Sequence, residues 1–195
     1  MRSAELKRNT EETQIKVKLD LDGTGTYDIH TGCGFLDHML AQLSRHGLID
    51  LNIDATGDLN VDAHHLAEDA GIVIGTALSQ ALGDKKGINR YGSACIPMDE
   101  TLTRCVIDLS GRPAFVWHVK FASEKVGDVD TEVFKEFFAA VTNNLKAAVH
   151  IENLYGDNAH HIAESCFKAF ARALRHACES DPRAEGILPS TKGAL

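Results

Sequence analysis

Ala63-His64-His65-Leu66-Ala67-Glu68 and Ala159-His160-His161-Ile162-Ala163-Glu164 are one six-residue phrase written twice, each copy with two histidines and a carboxylate. Residues four apart on a helix lie one turn apart on one face, so His64 with Glu68, and His160 with Glu164, can each grip one cation. The adjacent histidine is turned by about 100°. His65 and His161 must therefore address something else, which points to a second metal. Two such helices predict two metal sites, each drawing on both helices or on a neighbouring subunit.

The flanks support helices at both places. Asp62 stands as N-cap before the first, Leu66, Ala70, Val73, Ala77, Leu78 and Ala81 form its apolar stripe, and Gly83 supplies the stop. Asn158 caps the second, whose stripe is Phe167, Phe170, Ala171 and Leu174. Upstream of the first, Phe35, Leu36, Met39, Leu40 and Leu43 repeat at helical spacing up to Gly47, and a short strand follows near 48–55. Upstream of the second, Val133, Phe134, Phe137, Phe138, Val141 and Leu145 mark a helix from about Thr131, with a strand near 147–153. Residues 14–21 alternate strictly between polar and apolar, as a half-buried strand does, and Asp22-Gly23-Thr24-Gly25 predicts a hairpin. Strands near 103–109 and 114–121 open the second half.

Strand, strand, helix, strand, helix thus occurs twice, with a boundary near Lys85 to Tyr91. This predicts an internally duplicated α+β fold with pseudo-twofold symmetry. Residues 1–90 form the first repeat and 91–195 the second with a tail at Pro189 to Gly193, together one functional domain.

Composition narrows the function. The 195 residues carry a formal net charge of -8 with no run of Lys and Arg, which argues against nucleic acid as a partner. No apolar stretch approaches a membrane span, and Met1 to Arg8 lacks the apolar core of a signal peptide, so a cytoplasmic protein, or an organellar one after removal of a leader, is expected. Five cysteines, odd in number and never spaced as C-x-x-C, indicate neither a disulfide framework nor a zinc ribbon.

Each repeat should add a ligand from its first helix. His38 stands 26 residues before His64, and Glu136 stands 24 before His160. The candidates are then His38, His64, His65, Glu68, Glu136, His160, His161 and Glu164. If each helix pair serves both sites, His64, Glu68, Glu136 and His161 form one, and His38, His65, His160 and Glu164 the other. Imidazole with carboxylate suits Mn, Fe, Co or Zn, and the lack of thiolate tells against a structural zinc site. His30, His118, His150 and His176 have no partner pattern and read as structural.

Several segments carry a wider resemblance: Arg8-Asn9-Thr10-Glu11-Glu12-Thr13, Gly34-Phe35-Leu36-Asp37-His38-Met39-Leu40, Asp62 to Asp69, Asp108-Leu109-Ser110-Gly111-Arg112-Pro113, Asn158 to Lys168, and Pro189 to Gly193. Over almost its full length the chain resembles the imidazoleglycerol-phosphate dehydratases, lyases of histidine biosynthesis. The resemblance implies helices packed between two four-stranded sheets, two Mn(II) ions per active site, and a homo-oligomer of 24 subunits with active sites at subunit contacts. It also implies a small phosphorylated imidazole substrate, Glu12 as general acid/base, and a substrate-binding set of Glu12, Gln42, His46, Arg90, Arg112, Lys168, Ser190 and Lys192. Three positions depart from the family pattern: Glu136 replaces a frequent histidine, and Leu66 and Thr191 stand where Thr and Ser are frequent.

The implied chemistry asks for these groups. Dehydrating the glycerol side chain removes a hydroxide from the carbon attached to imidazole and a poorly acidic proton from the next carbon. By that resemblance, bound metals would supply Lewis-acid polarisation to the ring nitrogens and so help the hydroxyl to leave, and a carboxylate would be needed to shuttle protons. A binuclear metallohydrolase would use similar ligands but generally needs an Asp-rich set with a bridging carboxylate. A metal store or sensor would have no use for convergent Glu12, Arg90, Arg112 and Lys168.

Overall fold

In the computed structural model, residues 2–195 are described. The first repeat runs β1 (Ser3–Asn9), β2 (Thr13–Asp20), β3 (Tyr27–His30), α1 (Gly34–Gly47), β4 (Asp50–Gly57) and α2 (His64–Leu82). The second runs β5 (Tyr91–Met98), β6 (Thr101–Asp108), β7 (Ala114–His118), a small ribbon of β8 (Lys125–Val126) and β9 (Val129–Asp130), α3 (Glu132–Leu145), β10 (Ala148–Tyr155) and α4 (Ala159–Cys178). Two four-stranded sheets result, ordered β1-β2-β4-β3 and β5-β6-β10-β7. In each, the first three strands pair antiparallel and the last joins in parallel. The two sheets are therefore copies of one topology.

Alternation on β2 buries Thr13, Ile15, Val17 and Leu19 on one face and leaves the other wet. Helices cover the buried faces: α2 packs on β1 and β2, and α4 on β5 and β6. The helices then meet, α1 against α4 and α2 against α3, so they lie between the sheets. Phe134, Phe137, Phe138, Phe167 and Phe170 are fully buried and fill the second half of this core.

Two features of the sequence reading need correction. Asp22 to Gly25 does not close a hairpin. Strand β2 already has antiparallel partners on both edges, β1 and β4, so β3 is carried to the far edge of β4 and pairs in parallel. Asp50 Oδ1 shapes the crossing by accepting the backbone N–H groups of Thr24 and Thr26 at 2.8 and 2.9 Å. The repeat unit also holds more strands than its pattern showed, because β1 and β5 have few large apolar side chains to mark them.

Close approach of α2 to α3 depends on glycine. A Cβ at Gly75 would lie 2.5 Å from the Val141 carbonyl oxygen, and one at Gly71 2.6 Å from that of Phe137. Gly75→Ala should push the helices apart and cost about 1–3 kcal/mol, as overpacking does. Chemical denaturation at a fixed metal load measures it; unchanged stability would show that α3 yields freely.

Candidate metal and substrate site

The two His-His helices start as their caps direct. Asn158 Oδ1 accepts the N–H groups of His160 and His161, while Asp62 Oδ1 accepts that of His64 at 2.7 Å, one residue ahead of the assigned cap Ala63. Both histidine pairs therefore project from a first turn, next to the ends of the strands.

Within the chain, α1 and α4 bring three candidate ligands together. His38 Nε2 lies 3.0 Å and His160 Nε2 3.1 Å from the same oxygen, Glu164 Oε2. Among the described residues, this is the one group of three such side chains whose donor atoms all fall within 4.8 Å of one another. Glu164 is 8 % exposed, and its other oxygen takes the Lys168 ammonium at 2.7 Å. Burial alone would raise its carboxyl pKa, but hydrogen bonds from Lys168, His38 and His160 overcome that and hold it at about 2. Two imidazole nitrogens aimed at one ionised oxygen form a donor set suited to a borderline divalent cation, so the residues fit a metal.

The other candidates lie apart. His64 Nε2 is 3.9 Å from Glu68 Oε2 on α2, and the half-buried Glu136 sits on α3, which packs against α2. His65 Nδ1 is bound to Asp58 Oδ2 at 2.9 Å, with Glu12 Oε2 at 3.8 Å. His161 Nδ1 is bound to Glu100 Oε2 at 2.7 Å, with Asp99 3.7 Å from its Nε2. One chain thus closes neither expected set of four, since His65 is not with His38, His160 and Glu164, nor His161 with His64 and Glu68. The reason is the packing of α1 on α4 and of α2 on α3, which sends the second histidine of each pair towards its own sheet. Asp58 raises the pKa of His65, and Glu100 that of His161.

Lys168 continues the row that begins at His160 and Glu164, and α1 answers with His38, Gln42 and His46 at the same spacing. Gln42 Oε1 is 3.1 Å from His46 Nε2. Burial, and then the charges of Lys168 and Arg172, lower the pKa of His46, which favours its neutral imidazole beside those two cations. The remaining phosphate candidates are elsewhere. Arg90 grips Asp108 through Nε at 2.7 Å and donates to the Pro189 carbonyl at 2.6 Å, which ties down the tail that carries Ser190 and Lys192. The tail's end rests on Gly111, beside the exposed Arg112. Lys168 reaches Met98 at one end of β5, and Arg90 precedes Tyr91 at the other. At about 3.3 Å per residue these groups are roughly 26 Å apart along the strand.

Sequence reasoning missed Asp58, Glu100 and Asp69. Asp69 is buried and accepts from Thr13 Oγ1 and from Arg8 Nε, which pins the β1–β2 turn, and with it Glu12, to α2. Its place directly after Glu68 was the available signal. Leu66, which stands where Thr is frequent in the family pattern, is fully buried in the core against Gly57.

A family model for imidazoleglycerol-phosphate dehydratase matches residues 31–174. The chain is 58 % identical to the imidazoleglycerol-phosphate dehydratase of Paracoccus denitrificans, over all of both chains. It is 59 % identical to that of a Polaromonas species, over 100 % of this chain and 94 % of the relative. Among solved structures, imidazoleglycerol-phosphate dehydratase from Staphylococcus aureus superposes with a TM-score of 0.84 at 43 % identity, covering 92 % of this chain and 99 % of that one. The Pyrococcus furiosus enzyme, in complex with (S)-C348, gives 0.83 at 35 % identity over 97 % and 100 %. Full-length identity at this level, on the same duplicated sheets, places the chain in the imidazoleglycerol-phosphate dehydratase family.

Proposed function

We propose that the chain dehydrates imidazole glycerol phosphate to imidazole acetol phosphate, in histidine biosynthesis, with two Mn(II) ions in each active site. The convergence of His38, His160 and Glu164 beside Lys168 carries this reading, because it sets a metal-ligand cluster one helical turn from a cation fit for a phosphate. His64, Glu68, Glu136 and His161 are proposed for the second ion. Open sets in one chain, together with the separation of Arg90, Arg112, Ser190 and Lys192 from Lys168, support active sites completed by neighbouring copies in a homo-oligomer, for which 24 subunits is the proposed number. Among the described residues no helix is long and apolar enough to cross a membrane, and a cytoplasmic location is proposed.

When bound, the ions supply Lewis-acid polarisation of the substrate's imidazole nitrogens. The chain's residues do the rest. Glu12, exposed and held beside His65 by the anchored turn, takes the C–H proton and can return one to the departing hydroxyl. Lys168 offers a mobile point charge to the phosphate, and Gln42 and His46 line its approach. Arg112 adds a planar fork, and Ser190 and Lys192 a hydroxyl and a second ammonium, from the tail that Arg90 secures.

Purified protein incubated with Mn(II) and imidazole glycerol phosphate should yield the keto product by NMR; no turnover at any metal load overturns the proposal. Metal loading should fall as pH drops. His65 and His161 have pKa values raised above 6.5, so protons compete for them from above that value downward, and bound Mn(II) should decline from there to pH 5. Equal metal content at pH 8 and pH 5 in dialysed protein would contradict imidazole ligation.

A further inference from the structure

The two repeats hold their second histidines by different means. Glu12 and Glu100 occupy the same place in their repeats: each immediately precedes a buried threonine, Thr13 or Thr101, that opens the second strand of its sheet. Thr13 faces Gly57 at the end of β4, and Thr101 lies against Gly156, just past the end of β10. The carboxylates that follow these glycines, Asp58 and Asp157, are therefore also equivalent by register.

From there the repeats diverge. Five residues, Leu59 to Ala63, separate Asp58 from His64, whereas only Asn158 and Ala159 separate Asp157 from His160. The longer loop makes a turn closed by the Val61 N–H on the Asp58 carbonyl at 2.8 Å, and Asp58 reaches His65 Nδ1 at 2.9 Å. In the short loop, Asn158 is committed to the helix cap, and Glu100 takes His161 Nδ1 at 2.7 Å. Glu12, the counterpart of Glu100, is left 3.8 Å from the nitrogen that Asp58 already holds. Asp58 has no second partner, since its Oδ1 is buried without a hydrogen bond.

A carboxylate on Nδ1 fixes the tautomer with the proton there and presents Nε2 as the donor nitrogen. We propose that Asp58 and Glu100 are the positioning residues of His65 and His161, each holding Nδ1–H so that Nε2 faces a metal, and that Asp58 thereby leaves Glu12 free for proton transfer. This rests on the metal-dependent dehydratase reading.

Calorimetric titration of the metal-free full chain with Mn(II) tests it, with substrate turnover measured beside it. Glu100→Ala and Asp58→Ala should each weaken Mn(II) binding about 10- to 100-fold, with partial recovery in Glu100→Gln and Asp58→Asn, while Glu12→Ala binds as the unaltered protein does. At saturating Mn(II), Glu100→Ala should regain turnover and Asp58→Ala should not, because the vacated Nδ1 draws Glu12 across. Unchanged affinity in both alanine variants overturns the positioning role, and full recovery of Asp58→Ala overturns the release of Glu12. Nitrogen-15 NMR of the metal-free, histidine-labelled protein should show His65 and His161 with the proton on Nδ1. The opposite tautomer overturns this inference alone, whereas an unaltered protein that binds no Mn(II) overturns the metal proposal on which it rests.

Discussion

Glu12→Gln is expected to lower kcat by about 10²- to 10⁴-fold, the usual worth of a positioned general acid/base. An amide of the same shape keeps the side chain in place but cannot accept the substrate proton. Structure should be preserved, because the turn is pinned by Thr13 and Arg8 on Asp69 and not by Glu12. Mn(II) affinity and KM should therefore stay close to their original values, so that the loss falls on kcat. Stopped-assay kinetics with imidazole glycerol phosphate, paired with metal analysis, measure both. Near-normal kcat would assign the proton transfer to another group, and a parallel loss of metal would make Glu12 a ligand.

The second large effect is expected at Glu164. In Glu164→Ala, His38, His160 and Lys168 lose the carboxylate on which all three converge. The ammonium is left near two imidazoles with no negative charge between them, which disfavours a cation further. Metal at this position should be lost, and activity should fall by at least about 10²-fold, the scale on which one electrostatic group in an active site is felt. Glu164→Gln retains an oxygen acceptor but not the charge, so it should bind metal weakly and remain impaired. Metal content by mass spectrometry and turnover together decide the matter. An unchanged metal load in the alanine variant would remove Glu164 from the site.

The helices were legible because each buries a stripe at a period of 3.6 residues, as in Phe134, Phe137, Phe138, Val141 and Leu145. Strand β2 was legible through its strict alternation. β1 offered only Ala4 and Leu6 as partly buried apolar residues, too few to mark a strand. The hairpin expected at Asp22 to Gly25 failed because turn composition reports a change of direction, whereas the strand's next partner depends on which sheet edges are already taken. At the site, the same line divides what could be read. The i and i+4 pairing of His160 with Glu164 is local and was visible, but the arrival of His38 on the same oxygen was not.

The sequence by itself determined the duplication, the four long helices, their caps and the identities of the candidate ligands, because these rest on local periodicity and on a phrase repeated in the chain. Only the tertiary structure decided which ligands meet. Packing of α1 on α4 closes His38, His160 and Glu164 into one cluster, while loop lengths of five and two residues assign His65 to Asp58 and His161 to Glu100. Side-chain convergence depends on helix docking and on the reach of loops between elements distant in sequence, and no local pattern encodes either.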